Sequence, residues 1–244
     1  MLKNVMNVKV NYFFNDIGSD ISLVLLHGWG QNIDMMMPIG EKFFSKYNVL
    51  IIDLPGFGKS SEPDYSWSVY DYAKCVKKIV DDLELERIIL VGHSFGGRIG
   101  LIYSSLYNVE KLICMGSPYC KELSKLPLKT RIYKKFKKIG CLSWIANIMK
   151  NYIGSKDYKN SSEVMRGVLV KSINLEMVDD IKKIKSPTLL IWGSIDTAVP
   201  LKRAYELKDL IKFSELKVYE DRTHYAYLEE INDVVRLIDE FIRK

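Results

Sequence analysis

The chain predicts a doubly wound, mostly parallel α/β sheet that carries a helical cap insertion. Three observations lead there. Short apolar runs recur at Ile21–Leu26, Asn48–Leu54, Ile88–Val91, Lys111–Met115 and Thr188–Trp192, as strands buried on both faces require. Segments with apolar residues at helical spacing alternate with most of them. The alternation then lapses from Tyr119 to about Lys185, between two strands of the predicted sheet. At 244 residues the length suits one large domain with an insertion. The boundaries read as a core of 1–118 plus 186–244 and a cap of 119–185.

Taken in order, Val5–Phe14 reads as a strand with Val8, Val10 and Tyr12 on one face, and Asn15–Asp20 as a turn. Strand Ile21–Leu26 runs into His27-Gly28-Trp29-Gly30. Met35–Phe44 is expected to be a helix covering the sheet. The strand Asn48–Leu54 ends in Pro55-Gly56-Phe57-Gly58-Lys59-Ser60. That loop lacks the Gly-x-x-x-x-Gly-Lys spacing of a phosphate loop, so Asp53 reads as structural. Val69, Ala73, Val76, Val80 and Leu83 fall on one face of a helix. That helix leads to the strand before Gly92-His93-Ser94-Phe95-Gly96-Gly97, and a helical pattern follows (Ile99, Ile102, Tyr103, Leu106).

Within the insertion, Ile132, Phe136 and Ile139, then Leu142, Ile145, Met149 and Tyr152, mark short amphipathic helices broken by Gly140 and Gly154. Strand Thr188–Trp192 resumes the sheet, Pro200 stands at a helix start, and Glu215–Tyr219 is the last strand. Leu228, Ile231, Val234, Val235, Ile238 and Phe241 form one face of a closing helix.

Composition narrows the function classes. Hydrophobic residues make up 48% and charged ones 27%, as in a soluble globular protein. No apolar run has the length of a membrane span, and Met1–Phe14 has no signal-peptide core. A cytoplasmic protein is expected, acting without a membrane. Cys75, Cys114, Cys120 and Cys141 show no paired spacing and read as reduced thiols. With three histidines and no His-x-x-x-His, neither a metal site nor any other cofactor is expected. The net charge of +6 is concentrated in the insertion, where 119–185 carries sixteen Lys/Arg against six Asp/Glu. Its Lys134, Lys135, Lys137 and Lys138 read first as a solvated helix face. No nucleic-acid docking motif accompanies them.

The chemistry-bearing pattern is Gly-x-Ser-x-Gly between a strand and a helix. Such a turn strains the serine backbone and presents its hydroxyl above the sheet, with a helix N-terminus behind it. Asp196 and His224 also follow strands, and parallel strands bring their carboxyl ends to one edge. Serine needs a base to attack at neutral pH, imidazole suits that task, and a carboxylate orients it. Ser94, His224 and Asp196 are therefore the candidate catalytic set. His93 and His27 read as packing or loop-bonding residues, and Asp221 as a solvated turn. The backbone amides of Trp29 and Phe95 are the candidate oxyanion donors. Phe57, Tyr119 and Tyr225, with those two aromatics, are candidate walls of a substrate pocket.

Together His27-Gly28-Trp29-Gly30, Asp53 through Ser60, Gly92 through Gly97, Gly193-Ser194-Ile195-Asp196 and His224 make the chain resemble the α/β-hydrolase superfamily, from His27 to the C-terminal helix. The resemblance implies a Ser94–His224–Asp196 triad, an oxyanion hole from Trp29 and Phe95, and a cap at about 119–185. Serine at 94 departs from the dehalogenase and epoxide hydrolase branches, which place aspartate there. The His-Gly-Trp-Gly loop is similar to that of the carboxylesterases that demethylate a pimeloyl-carrier-protein ester, whose basic cap receives an acidic carrier protein. The expected activity is hydrolysis of a small carboxylic ester through an acyl-enzyme, with an acidic carrier protein as one candidate partner of the cap. The same residues admit C–C bond hydrolysis, lyase or acyl-transfer chemistry, or a non-catalytic ligand receptor.

Overall fold

A computed structural model describes residues 1–121 and 161–244. The lysine cluster and the helices expected between Ile132 and Tyr152 lie outside the described residues, and so does most of the expected cap. The strands are β1 (Leu2–Val5), β2 (Val8–Asn15), β3 (Ile21–Leu26), β4 (Asn48–Ile52), β5 (Arg87–His93), β6 (Lys111–Met115), β7 (Thr188–Gly193) and β8 (Ser214–Tyr219). They form one sheet in the order β1-β2-β4-β3-β5-β6-β7-β8. The pairs from β4 to β8 are all parallel, while β1 with β2 and β2 with β4 are antiparallel.

Alternation along each strand sorts the core into two layers. Leu23, Leu25, Val49, Ile51, Ile89 and Val91 point to one face. There they meet Met36 and Ile39 of α1 (Ile33–Gly40) and Val234, Ile238 and Phe241 of α8 (Ile231–Arg243). Val24, Leu26, Leu50, Ile52, Leu90 and Leu112 point the other way. They pack on α2 (Val69–Asp82), α3 (Phe95–Leu106) and α6 (Lys202–Leu210). Helix α2 starts where Ser68 and Asp71 form a reciprocal capping box. Between β6 and β7 the described part of the insertion contains α4 (Glu163–Asn174) and α5 (Val178–Ile181).

The structure departs from the sequence expectations at three places. The N-terminal strand is a hairpin, because Met6 and Asn7 both have positive φ (50° and 63°). Such a pair reverses the chain in two residues. Val5 and Val8 are both buried and paired across the turn, so the apolar alternation does not register it. Helix α1 ends at Gly40 and a single 3-10 turn, Glu41–Phe43, finishes the expected segment. The closing helix is two: α7 (Ala226–Glu229) and α8 are separated at Glu230 (φ −122°, ψ 39°). At the break, Glu229 accepts from the Thr223 amide at 2.9 Å and Glu230 pairs with Arg222 at 2.6 Å. These bonds tie down the segment that leads into His224.

Helix α3 lies so close to the sheet that a Cβ on Gly96 would sit 2.2 Å from the Leu26 carbonyl oxygen. Gly18, by contrast, has φ +70° with nothing near its missing side chain. In urea unfolding, Gly96→Ala is expected to cost more than about 3 kcal/mol through forced backbone movement. Gly18→Ala is expected to cost only the roughly 1–2 kcal/mol of a left-handed alanine.

Candidate active site

Ser94 joins β5 to α3 at φ 51°, ψ −109°, a strained conformation for a residue with a side chain. The surroundings hold it there. Its amide donates to the Met115 carbonyl at 2.9 Å, and a Cβ on Gly92 would meet Gly96 backbone at 2.5 Å. Although Ser94 stands at the N-cap of α3, its side chain makes no capping bond. The hydroxyl is therefore not consumed by the helix whose N-terminus it faces.

Asp196 and His224 meet at the same edge of the sheet, after β7 and β8. Asp196 Oδ1 accepts from the amides of Ala198 and Val199, both at 2.8 Å, while Oδ2 lies 2.8 Å from His224 Nδ1. A carboxylate oxygen with an imidazole nitrogen against it calls for the proton on Nδ1, which leaves Nε2 with a free lone pair. The loops that carry the two residues are stitched together. Ser194 donates to the Tyr219 carbonyl at 2.9 Å, Ile195 to that of Arg222 at 3.1 Å, and Asp221 to Ser194 Oγ at 2.9 Å. Asp221 itself is exposed and takes no part in the pair. Gly116, next to Ser94's partner Met115, makes room: a Cβ there would lie 2.9 Å from His224 Nδ1 and 3.3 Å from Asp196 Oδ2. The structure thus brings all three residues to the carboxyl edge of the sheet. Among the described residues the Ser94 hydroxyl makes no hydrogen bond, to His224 or to any other group.

Two main-chain N–H groups flank the serine without acceptors. Neither the Trp29 nor the Phe95 amide donates to any group among the described residues. Gly30, at φ 71°, lets the chain turn immediately after Trp29. The loop is set by His27, whose Nε2 accepts from the Leu54 amide at 3.0 Å and whose Nδ1 therefore donates to the Gly28 carbonyl at 2.7 Å. His93 Nε2 donates to the His224 carbonyl at 3.1 Å, which engages this ring in holding the neighbouring loop. Burial keeps both rings neutral, pulling His27 down to about 4 and His93 to about 3, the latter helped by His224. Asp53 is buried and accepts from the Ile33 and Lys59 amides and from Asn11, each at 2.8 Å. It is a loop organiser, as its sequence context implied.

A cavity of about 310 Å³ opens at Ser94, with Trp29, Phe95, Arg98, Ser172 and Val199 among its walls. Of the other aromatics expected to line it, Phe57 packs edge-on behind Trp29 (4.9 Å between centroids) and Phe95 (6.1 Å). Tyr119 turns toward α6, where its hydroxyl donates to Glu206 at 2.7 Å. Tyr225 lies beside His93 and His224, with centroids 5.4 and 5.6 Å away. None of these three is among the lining residues. Sequence reasoning missed Arg98 and Ser172. Arg98 had one signal, its spacing of four from Ser94 at the start of a helix; Ser172, on a helix of the insertion, had none.

A family model described as the alpha/beta hydrolase fold matches residues 21–135. This match and the relatives below support membership of the α/β-hydrolase superfamily. It is 28% identical to the AB hydrolase superfamily protein YisY of Bacillus subtilis, over 95% of both chains. It is 27% identical to a 2-hydroxy-6-oxononadienedioate/2-hydroxy-6-oxononatrienedioate hydrolase of Escherichia coli, covering 95% of this chain and 90% of that one. An esterase from Exiguobacterium antarcticum shares the α/β-hydrolase fold with a TM-score of 0.77 at 21% identity, over 100% of this chain and 99% of that one. Among the described residues no helix is long and apolar enough to cross a membrane.

The two neutral histidines carry a pH signature. Below pH 6.5 the unfolded chain protonates both rings, while the folded chain does not until about pH 4 for His27 and about pH 3 for His93. Stability therefore falls as pH drops through that window. Urea unfolding at pH 5 and pH 7 is expected to differ by about 2 kcal/mol for each ring. His93→Asn is expected to remove roughly half of that difference.

Proposed function

We propose that the protein is a serine hydrolase that cleaves a small carboxylic ester through an acyl-enzyme on Ser94, with residues 119–185 as a cap on a core of 1–118 and 186–244. The observation that carries the reading is the Asp196–His224 bond at 2.8 Å, with the other Asp196 oxygen held by two amides. That arrangement leaves His224 Nε2 as the proton acceptor at the rim where Ser94 stands. Substrate binding would draw the Ser94 hydroxyl onto Nε2, and attack on the ester carbonyl would transfer the proton as the new bond forms. The negative charge then develops on the carbonyl oxygen, where the Trp29 and Phe95 amides are available. Each such donor lowers the barrier by about 3–4 kcal/mol in comparable sites.

The imidazolium, stabilised by Asp196, returns the proton to the departing alcohol. Water activated by His224 then releases the acid and restores Ser94. The cavity volume of about 310 Å³ lies at the small end for ligand sites and favours a short acyl group.

A second reading keeps the triad but breaks a carbon–carbon bond. It is favoured by the likeness to a protein named as a 2-hydroxy-6-oxononadienedioate hydrolase. A panel of p-nitrophenyl esters set against vinylogous diketones separates the two, and faster turnover of the diketones would replace the ester reading.

Ser94→Ala is expected to lower turnover of p-nitrophenyl acetate by about 10⁴-fold or more and to abolish labelling by a fluorophosphonate, with an unchanged circular dichroism spectrum. Asp196→Asn, which no longer enforces the Nδ1 proton, is expected to lower kcat by about 10⁴-fold. Unaltered turnover in either variant would end the proposal.

A further inference from the structure

The cavity at Ser94 is small and largely apolar, yet one of its walls is a guanidinium. Arg98 sits one helical turn beyond the nucleophile, its amide bonded to the Ser94 carbonyl at 2.9 Å, so both side chains leave the same face of α3. The residue is only 3% exposed. Burying a charge is costly unless a counter-ion accompanies it, and buried arginines normally have a carboxylate against them. Arg98 has none: among the described residues it makes no ion pair, and its partners are the carbonyl oxygens of Ser172 and Cys120. The carboxylate whose charge reaches it is that of Glu176, an exposed side chain that accepts from the Lys121 amide at 3.2 Å. Burial pulls Arg98 down to about 10, so the side chain keeps its charge at neutral pH.

A second observation points the same way. Ser172 is also 3% exposed and lines the same cavity, and its hydroxyl has no hydrogen-bond partner among the described residues. Buried hydroxyls are almost always bonded, and one left unpartnered on a cavity wall is a donor awaiting a ligand. Two carbonyl bonds use only part of the five N–H groups of a guanidinium, and the remainder suit a planar anion. One positive charge with no ion-pair partner among the described residues favours a monoanion over a phosphate dianion, which would leave surplus negative charge.

Resting on the reading of Ser94 as nucleophile, we propose that Arg98 and Ser172 form a carboxylate subsite, so that the substrate is a monoester of a short dicarboxylic acid. The ester carbonyl lies at Ser94 while the free carboxylate, a few carbons along the acyl chain, supplies a counter-charge that no described residue places against Arg98. The two carbonyl bonds hold the guanidinium in place for this. They also link Arg98 to both described flanks of the insertion, at Cys120 and Ser172.

The test measures binding, which needs no turnover. In a Ser94→Ala background, calorimetric titration with monomethyl glutarate and with dimethyl glutarate compares ligands that differ in charge and one methyl group. The monoanion is expected to bind at least about tenfold more tightly, as a charge-assisted hydrogen bond to a buried site allows. Adding Arg98→Gln keeps N–H donors for the two carbonyls but removes the charge, and should abolish that preference. Arg98→Lys should restore part of it. Should the Gln variant fail to fold, Ser172→Ala serves instead, with an expected loss of about fivefold in monoanion affinity alone. Equal binding of the two esters would overturn the proposal. So would an equal loss of both in the Gln variant, which would make Arg98 a tether of the insertion, or phosphate binding as tight as that of the monoester. A wild-type enzyme that turned over no ester would count against Ser94 as an esterase nucleophile and leave this binding comparison intact.

Discussion

The site rests on backbone pressed against backbone. Gly96 lies where any side chain would run into the carbonyls of Leu26 and His27, and Gly92 faces Gly96 across the turn in the same way. These contacts fix the position of α3 on the sheet to within a fraction of an ångström, because packed interiors leave no room for compromise. They also place two loops side by side, the one after β3 with Trp29 and the one after β5 with Ser94. Every later feature of the site follows from that juxtaposition. The strained serine is affordable because the surrounding strands over-determine its place.

Around this scaffold the titratable groups divide by task. His27, His93 and Asp53 hold loops: each makes bonds to backbone groups, and both rings are neutral through burial. Asp196 and His224 are bonded to each other, and each is additionally held by or near backbone. Arg98 stands apart as the charged side chain in the cavity wall whose partners among the described residues are all neutral. A single fold thus contains histidines that differ mainly in what their nitrogens face.

Much of this was legible in the sequence because it is written in short-range signals. Apolar runs with flanking glycines locate β3 through β7; the loops that end β5 and β7 supply Ser94 and Asp196, and the loop after β8 supplies His224. The rest depends on contacts that spacing does not encode. The Met6–Asn7 turn hides inside an unbroken alternation of buried residues. The division at Glu230 serves Arg222 and Thr223, residues outside the helix itself. Tyr119 looked like a pocket wall, but Glu206, 87 positions away, engages its hydroxyl. An arginine at the start of a helix usually reads as solvated, and its burial under the segment around Ser172 is a tertiary fact.

His224 is gripped from two directions, its ring by Asp196 and its main-chain oxygen by His93, a side chain belonging to the same strand-end turn as the serine. The imidazole therefore surrenders its rotational freedom once, when the polypeptide folds, and not again each time a molecule arrives. Entropy lost in advance does not have to be recovered from the reactant. An unremarkable adjacent residue in the elbow thereby becomes a mechanical link between nucleophile and base.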